Sequence, residues 1–180
     1  NLGVTPELAI LKRRNTTSEW QVGANGASLY LNLSNGSAGT YTHSSYFNAT
    51  DFDVEGWVTE ANNNVSGSDY IVYLFATLAG ISKVGSYTGT AANLDVDCGF
   101  TAGARFILIK RTDSTGDWYV YDSARGIVAG NDPYLLLNST AAEVTGTDYI
   151  DPLSSGFTVT SSAPAGLNAS GGTYIFLAIA

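Results

Sequence analysis

The chain has no methionine, a single cysteine and a single histidine in 180 residues, and only 13% of its side chains carry charge. One thiol, Cys98, rules out an internal disulfide, so stability has to come from packing or from neighbouring subunits, with a buried thiol beside Gly99 as the expected state. The one histidine, His43, lies in the polar loop GTYTHSSYF and reads as a surface loop residue. It leaves little room for hydroxyl-nucleophile chemistry, which usually needs a base with a near-neutral pKa. No G-x-S-x-G elbow, H-E-x-x-H helix or C-x-x-C pair occurs, and no cofactor is implied. Positive charge is scarce: 8 basic against 16 acidic residues give a formal charge of -8, which argues against nucleic acid or an anionic membrane as partner. The longest apolar run, YIVYLFATLAGI from Tyr70 to Ile81, falls short of the roughly 20 residues a spanning helix needs, so no membrane insertion is expected.

Helical periodicity is also missing; strand signals take its place. ELAILK, SLYLNL, DFDVEGWV, YIVYLFA, ARFILIK, WYVYD, YLLLN, GFTVT and TYIFLAIA are separated by Asn, Gly, Ser and Asp clusters. This pattern predicts an all-β fold, an antiparallel β-sandwich of jelly-roll-like kind. GFTVT and WYVYD alternate, predicting one face toward solvent or a partner, whereas YIVYLFA and TYIFLAIA are apolar on both faces and are expected to be central or sandwiched.

The sequence also repeats itself. GVTPELAILKRRNTTSEWQV corresponds to GFTAGARFILIKRTDSTGDWYV, LYLNLSNGSAG to YLLLNSTAAEVTG, DFDV to GFTV, and NVSGSDYIVYLFA to NASGGTYIFLAIA. The offset is 98 from Trp20 to Trp118, 106 from Asn32 to Asn138, 105 from Phe52 to Phe157 and 104 from Tyr70 to Tyr174. Two internally duplicated β units are therefore expected, over 1–76 and 99–180, joined by connecting strands over 77–98. The alternatives are one continuous sandwich or two pseudo-symmetric units in close contact, and the second is favoured. The first unit has no counterpart of 77–98, so one or two lead-in strands are expected before Asn1.

Several side chains invite a chemical reading. Alternate residues of a strand share a face, so Asp51, Asp53 and Glu55, or Asp95 and Asp97, could bind a cation or act as the acid and base of a glycosidase. The second unit has SSGFTVTS in place of the first set, and solvated strand faces are the simpler expectation. Asp113 and Asp117 in TDSTGDW could bind a cation, although Asn15 and Glu19 occupy their places in the first unit and a hairpin turn explains both. Trp20, Trp118, Tyr119 and Tyr121 could stack on sugar rings or pack in a core. The clusters Lys12-Arg13-Arg14 and Lys110-Arg111 could protect sheet edges, pair with acids of a neighbouring subunit or contact acidic sugars. Seven N-x-[ST] triplets begin at Asn15, Asn32, Asn35, Asn48, Asn64, Asn138 and Asn168; since Asn32 pairs with Asn138 and Asn64 with Asn168, they read mainly as repeated turn chemistry.

The segments GFTAGARFILIKRTDSTGDWYVYDSARG, LLLNSTAAE, GSYTG and NASGGTYIFLAIA resemble a family of repeated β domains in predicted structural proteins of tailed bacteriophages, often downstream of a concanavalin-like jelly roll. The resemblance spans essentially the whole chain. It implies a virion protein of a tail fibre, appendage or capsid decoration, exposed on the particle surface and without catalytic residues. It further implies a homo-oligomer, with a trimer favoured, other virion proteins as partners and a host-surface glycan as a ligand. A polysaccharide depolymerase and a purely architectural cement protein are the alternatives.

Overall fold

The computed structural model describes residues 3–24, 27–36, 39–40 and 65–180. Thirteen strands are found among these residues. β1 (Leu8–Arg13), β2 (Gln21–Ala24), β3 (Ala27–Tyr30), β4 (Gly39–Thr40) and β5 (Tyr70–Phe75) form an outer sheet in the order β4-β3-β2-β1-β5. β6 (Ser82–Thr88), β8 (Phe106–Arg111), β9 (Trp118–Asp122), β10 (Leu135–Leu136) and β13 (Thr173–Ile179) form a central sheet in the order β10-β9-β8-β13-β6. β7 (Leu94–Asp97), β11 (Ile150–Leu153) and β12 (Gly156–Val159) form a small third sheet, β11-β12-β7, and a single helical turn, α1 (Ala165–Asn168), leads into β13. All pairings are antiparallel. The fold is therefore an all-β stack of antiparallel sheets.

Alternation along the central strands explains the stack. In β13, Tyr174, Phe176 and Ala178 enter one core with Ile107, Ile109, Tyr119 and Tyr121, against Val96, Ile150, Phe157 and Val159 of the small sheet. The intervening Ile175 and Leu177 enter a second core with Leu108, Trp118 and Val120, against Leu8, Val22, Ala24 and Leu29 of the outer sheet. Because side chains point to opposite faces with period two, only a run apolar at every position covers both cores at once. TYIFLAI does so, as its sequence predicts. WYVYD also does so, contrary to the solvent-facing side expected of it: its tyrosines present large apolar rings, so the apparent polar face is a second hydrophobic one. YIVYLFA departs in the other direction. It forms β5, the edge of the outer sheet, and leaves Val72 38% and Tyr73 46% exposed.

The outer and central sheets share strand order and register. Leu11 stands opposite Gln21 and Val72, as Ile109 stands opposite Tyr119 and Phe176. Gln21 in turn faces Tyr30, as Tyr119 faces Leu136. Turn contacts follow suit: Asn32 Oδ1 accepts from the Trp20 amide at 2.9 Å, and Asn138 Oδ1 from the Trp118 amide at 2.8 Å. The segment between the sheets contributes β6 to the central sheet and β7 to the small one. β13 thus has a neighbour on each side, whereas among the described residues β5 has only β1.

Three polar contacts lock the two large sheets together. Trp118 Nε1 donates to the Tyr30 carbonyl at 2.8 Å, and the Gly116 amide donates to the Ser34 carbonyl at 2.8 Å. Lys110, fully buried, donates through Nζ to the carbonyls of Gly116 (2.8 Å), Arg111 (3.0 Å) and Ser34 (3.2 Å). Burial pushes this ammonium down to about 8, with Asp117 opposing the shift and Arg111 adding to it. Lys110 therefore neither protects an edge nor meets a partner's acid: β8 is an interior strand, and the charge is spent on carbonyls that close the junction.

Replacing Lys110 by methionine keeps the stem but takes this donor from the Gly116 and Arg111 carbonyls and leaves the Ser34 carbonyl with the Gly116 amide alone. It should lower the free energy of unfolding by about 2–4 kcal/mol at pH 7, read as a lower urea midpoint at unchanged slope. The folded ammonium has a lower pKa than the unfolded one, so the unfolded chain binds more protons above about pH 8. Wild-type stability should therefore rise relative to the methionine variant as pH is raised from 8 toward 10.

Candidate functional site

Two hairpins that look alike in sequence place the residues expected to carry chemistry. In the second unit, Asp113 grips Arg111 through two parallel bonds, Oδ1 to Nε at 2.9 Å and Oδ2 to Nη2 at 3.1 Å. It also accepts the Thr173 amide at 3.1 Å. The Arg111 guanidinium and this amide hold the Asp113 carboxyl down at about 2. Asp117 faces another way and accepts from Asn138 Nδ2 at 2.7 Å. The two carboxylates are thus tied to different partners rather than gathered on a cation, and among the described residues no group of three or more His, Cys, Asp or Glu could hold a metal ion. In the first unit Asn15 takes the place of Asp113, accepting from Arg13 Nε at 3.1 Å. The turn is architecture, as the repeat suggests.

The aromatic candidates divide. Trp118 is 1% exposed and lies in the core between the large sheets, while Tyr119 and Tyr121 are buried in the other core, with ring centroids 5.2 and 5.8 Å from that of Tyr134. None of these three can stack on a sugar, which corrects that expectation: rings opening an interior strand are consumed by sheet packing. Trp20 alone remains half-exposed, with Lys12 Nζ 5.9 Å from its ring centroid.

Of the described glycosylation-like asparagines, Asn15, Asn32, Asn138 and Asn168 are structural and Asn35 is exposed. Asn168 is buried; its Nδ2 donates to the carbonyls of Ala92 (2.8 Å) and Thr160 (2.9 Å), and its Oδ1 accepts from the amides of Thr90 and Ala91. Asn32 and Asn138 hold their hairpins through both amide atoms. His43, Asn48, Asp51, Asp53, Glu55 and Asn64 lie outside the described residues.

What remains open is a groove of about 480 Å³ where the edge of the central sheet meets the edge of the small sheet. Glu7, Lys83, Tyr87, Asp95, Asp97 and Phe176 line it. β7 places its acids there by strand alternation: Val96 turns inward and is buried, so Asp95 and Asp97 turn outward together. Asp95 accepts from the Thr158 hydroxyl at 2.6 Å, and Asp97 accepts the Gly99 amide at 2.8 Å. Two carboxylates at i and i+2 of one strand present a row of acceptors on one wall rather than an acid and a base across a cleft. Such a row, with Lys83 beside it, suits hydroxyl-rich or cationic ligands. Cys98, next after β7, is buried, and burial, and then the Asp97 charge, push its thiol up to about 11, away from the thiolate form.

Two residues that no motif flagged matter here. Glu7 reaches the groove from the first unit, where only its position just ahead of β1 hints at a role. Asp132 is fully buried and accepts the amides of Tyr149 (2.9 Å) and Ile150 (3.0 Å), yet burial raises it to about 6, with the nearby acids Asp148 and Asp151 adding to the rise.

Since the folded chain holds the Asp132 proton more tightly than the unfolded one, stability from this group grows as pH falls from 6 toward 4 and is lost as pH rises through 6. Asp113, held near 2, titrates below that window. Lowering pH from 7 to 5 should therefore stabilise the wild type by about 1–2 kcal/mol, and the gain should vanish in Asp132→Asn when urea midpoints are compared.

A family model described as "Domain of unknown function (DUF7483)" matches residues 1–180, and the chain belongs to that family. No curated protein and no solved structure matches it.

Proposed function

We propose that this DUF7483 protein is a non-enzymatic structural component of a bacteriophage particle, a tail-fibre, appendage or capsid-decoration module on the virion surface. In this reading it is homo-oligomeric, with a trimer favoured, is held among other virion proteins and engages a host-surface glycan. The observation that carries the reading is the employment of its reactive-looking side chains. Asp113, Asp117, Lys110, Arg111 and the buried tyrosines all hold hairpins or cores, while the open groove offers hydrogen-bond acceptors on one wall. Weak glycan contacts of that kind gain strength when several copies act together on one particle. The low charge, the abundance of serine and threonine and the resemblance to phage β domains point the same way.

A second reading, a polysaccharide depolymerase, rests on Asp95 and Asp97 lying in the groove. Their common strand face weighs against paired acid-base work. Incubation with host polysaccharide separates the two: reducing ends released by the wild type and lost in Asp95→Asn or Asp97→Asn would establish the depolymerase and sink the binding reading.

Antibodies to the chain should decorate intact particles at the tail or capsid surface in electron micrographs; particles left bare count against the proposal. On a glycan array, the double variant Asp95→Ala, Asp97→Ala should bind about tenfold more weakly than the wild type, with its thermal unfolding little changed.

A further inference from the structure

The described sheet edges differ in how they are protected. β4 and β10 are two residues long, β6 carries Lys83, β7 carries Asp95 and Asp97, and β11 carries Asp151 and Pro152. Short length, charge and proline are the usual defences of an edge against further pairing. β5 has none of them: it is six residues long and reads YIVYLF. The Arg14 amide donates to the Asp69 carbonyl across the β1–β5 ladder, so by antiparallel alternation the backbone groups of Tyr70, Val72 and Leu74 face away from β1. No described residue pairs with them. Next to the end of β5, Val4, Leu74, Phe75, Leu78, Ile81 and Ile179 line an apolar groove of about 290 Å³, with Val4 40% and Ile81 54% exposed.

We propose that the outer edge of β5 is a strand-accepting site, taking an extended polypeptide strand antiparallel to itself that the described residues do not supply. The repeat identifies the occupant's chemistry. β13 stands where β5 does in its own sheet, and its corresponding edge carries β6 in an unbroken seven-residue register from Ser82 opposite Ile179 to Thr88 opposite Thr173. Transposed by the 104-residue offset, a donor runs from a position opposite Phe75 to one opposite Asp69, beginning beside the apolar groove. Val84 faces the inter-sheet core opposite Leu177, so an apolar donor residue belongs opposite Tyr73. Tyr87 stacks on Tyr174 at 4.8 Å, so an aromatic residue belongs opposite Tyr70.

One position sets this site apart from its counterpart. β6 needs Gly85 because a Cβ there would stand 2.6 Å from the Phe176 ring. The residue at the Phe176 position of β5 is Val72, smaller and 38% exposed, so here the donor has room for a side chain. The acceptor edge therefore selects a strand of β6 type whose central glycine is replaced by an aliphatic residue. This property of the edge does not depend on the particle reading.

Two labelled peptides test the site: one with the sequence of residues 81–89, ISKVGSYTG, and the same peptide carrying Gly85→Val. Fluorescence anisotropy should show saturable binding to the whole chain, with the valine peptide at least about fivefold tighter. Amide exchange at Val72 and Leu74 should slow when it binds. Val72→Pro, tolerated because that amide faces outward, should keep the far-ultraviolet spectrum and weaken binding by at least about tenfold. Failure of both peptides to bind at about 1 mM, or undiminished binding to Val72→Pro, would overturn the site. So would a concentration-dependent dimer that Val72→Pro dissociates, which would give the edge to a second copy.

Discussion

The structure depends on one sheet being buried on both faces. β8, β9 and β13 send alternate residues into two separate cores, so the outer sheet and the small sheet are held together only through the strands between them. A sheet in that position has no solvent face on which to place charge, and the charge it carries has to be satisfied internally. Lys110 is the case in point: an ammonium out of reach of water, held by three carbonyls, one of them from the opposite unit.

The same constraint settles which polar groups are left for ligands. Side chains that look reactive in sequence lie near the central strands and are drawn into ladder ends, hairpins and cores. The exposed acceptors lie at the rims, where β6 and β7 end their sheets and the walls of the polar groove come from two layers. The candidate site is therefore a consequence of stacking: it exists where sheet edges meet, and Glu7 reaches it from the segment just ahead of β1 in the outer sheet.

The repeat in sequence and the repeat in register tell different parts of the story. The two large sheets use the same strand order and pairings, yet their environments diverge. Among the described residues β13 has a strand on either side and β5 has one, so two runs of similar composition become a central strand and an edge. Lys12 and Lys110 diverge likewise. Lys12 sits at the rim near Trp20, whereas Lys110 is enclosed because the outer sheet lies over it.

Strand content, the all-β class, the hairpin at Asp113 and the turn role of the repeated asparagines were legible in the sequence, because each follows from local rules: period-two alternation, backbone-satisfying side chains, and repetition at a fixed offset. The burial of Trp118, Tyr119 and Tyr121, the enclosure of Lys110, the raised Asp132 and the exposure of Val72 were not. Tyrosine and lysine fit either a wet or a dry face, and an apolar strand fits either a centre or an edge. Those outcomes are decided by which layer packs over which, a long-range matter of sheet order that local pattern does not encode.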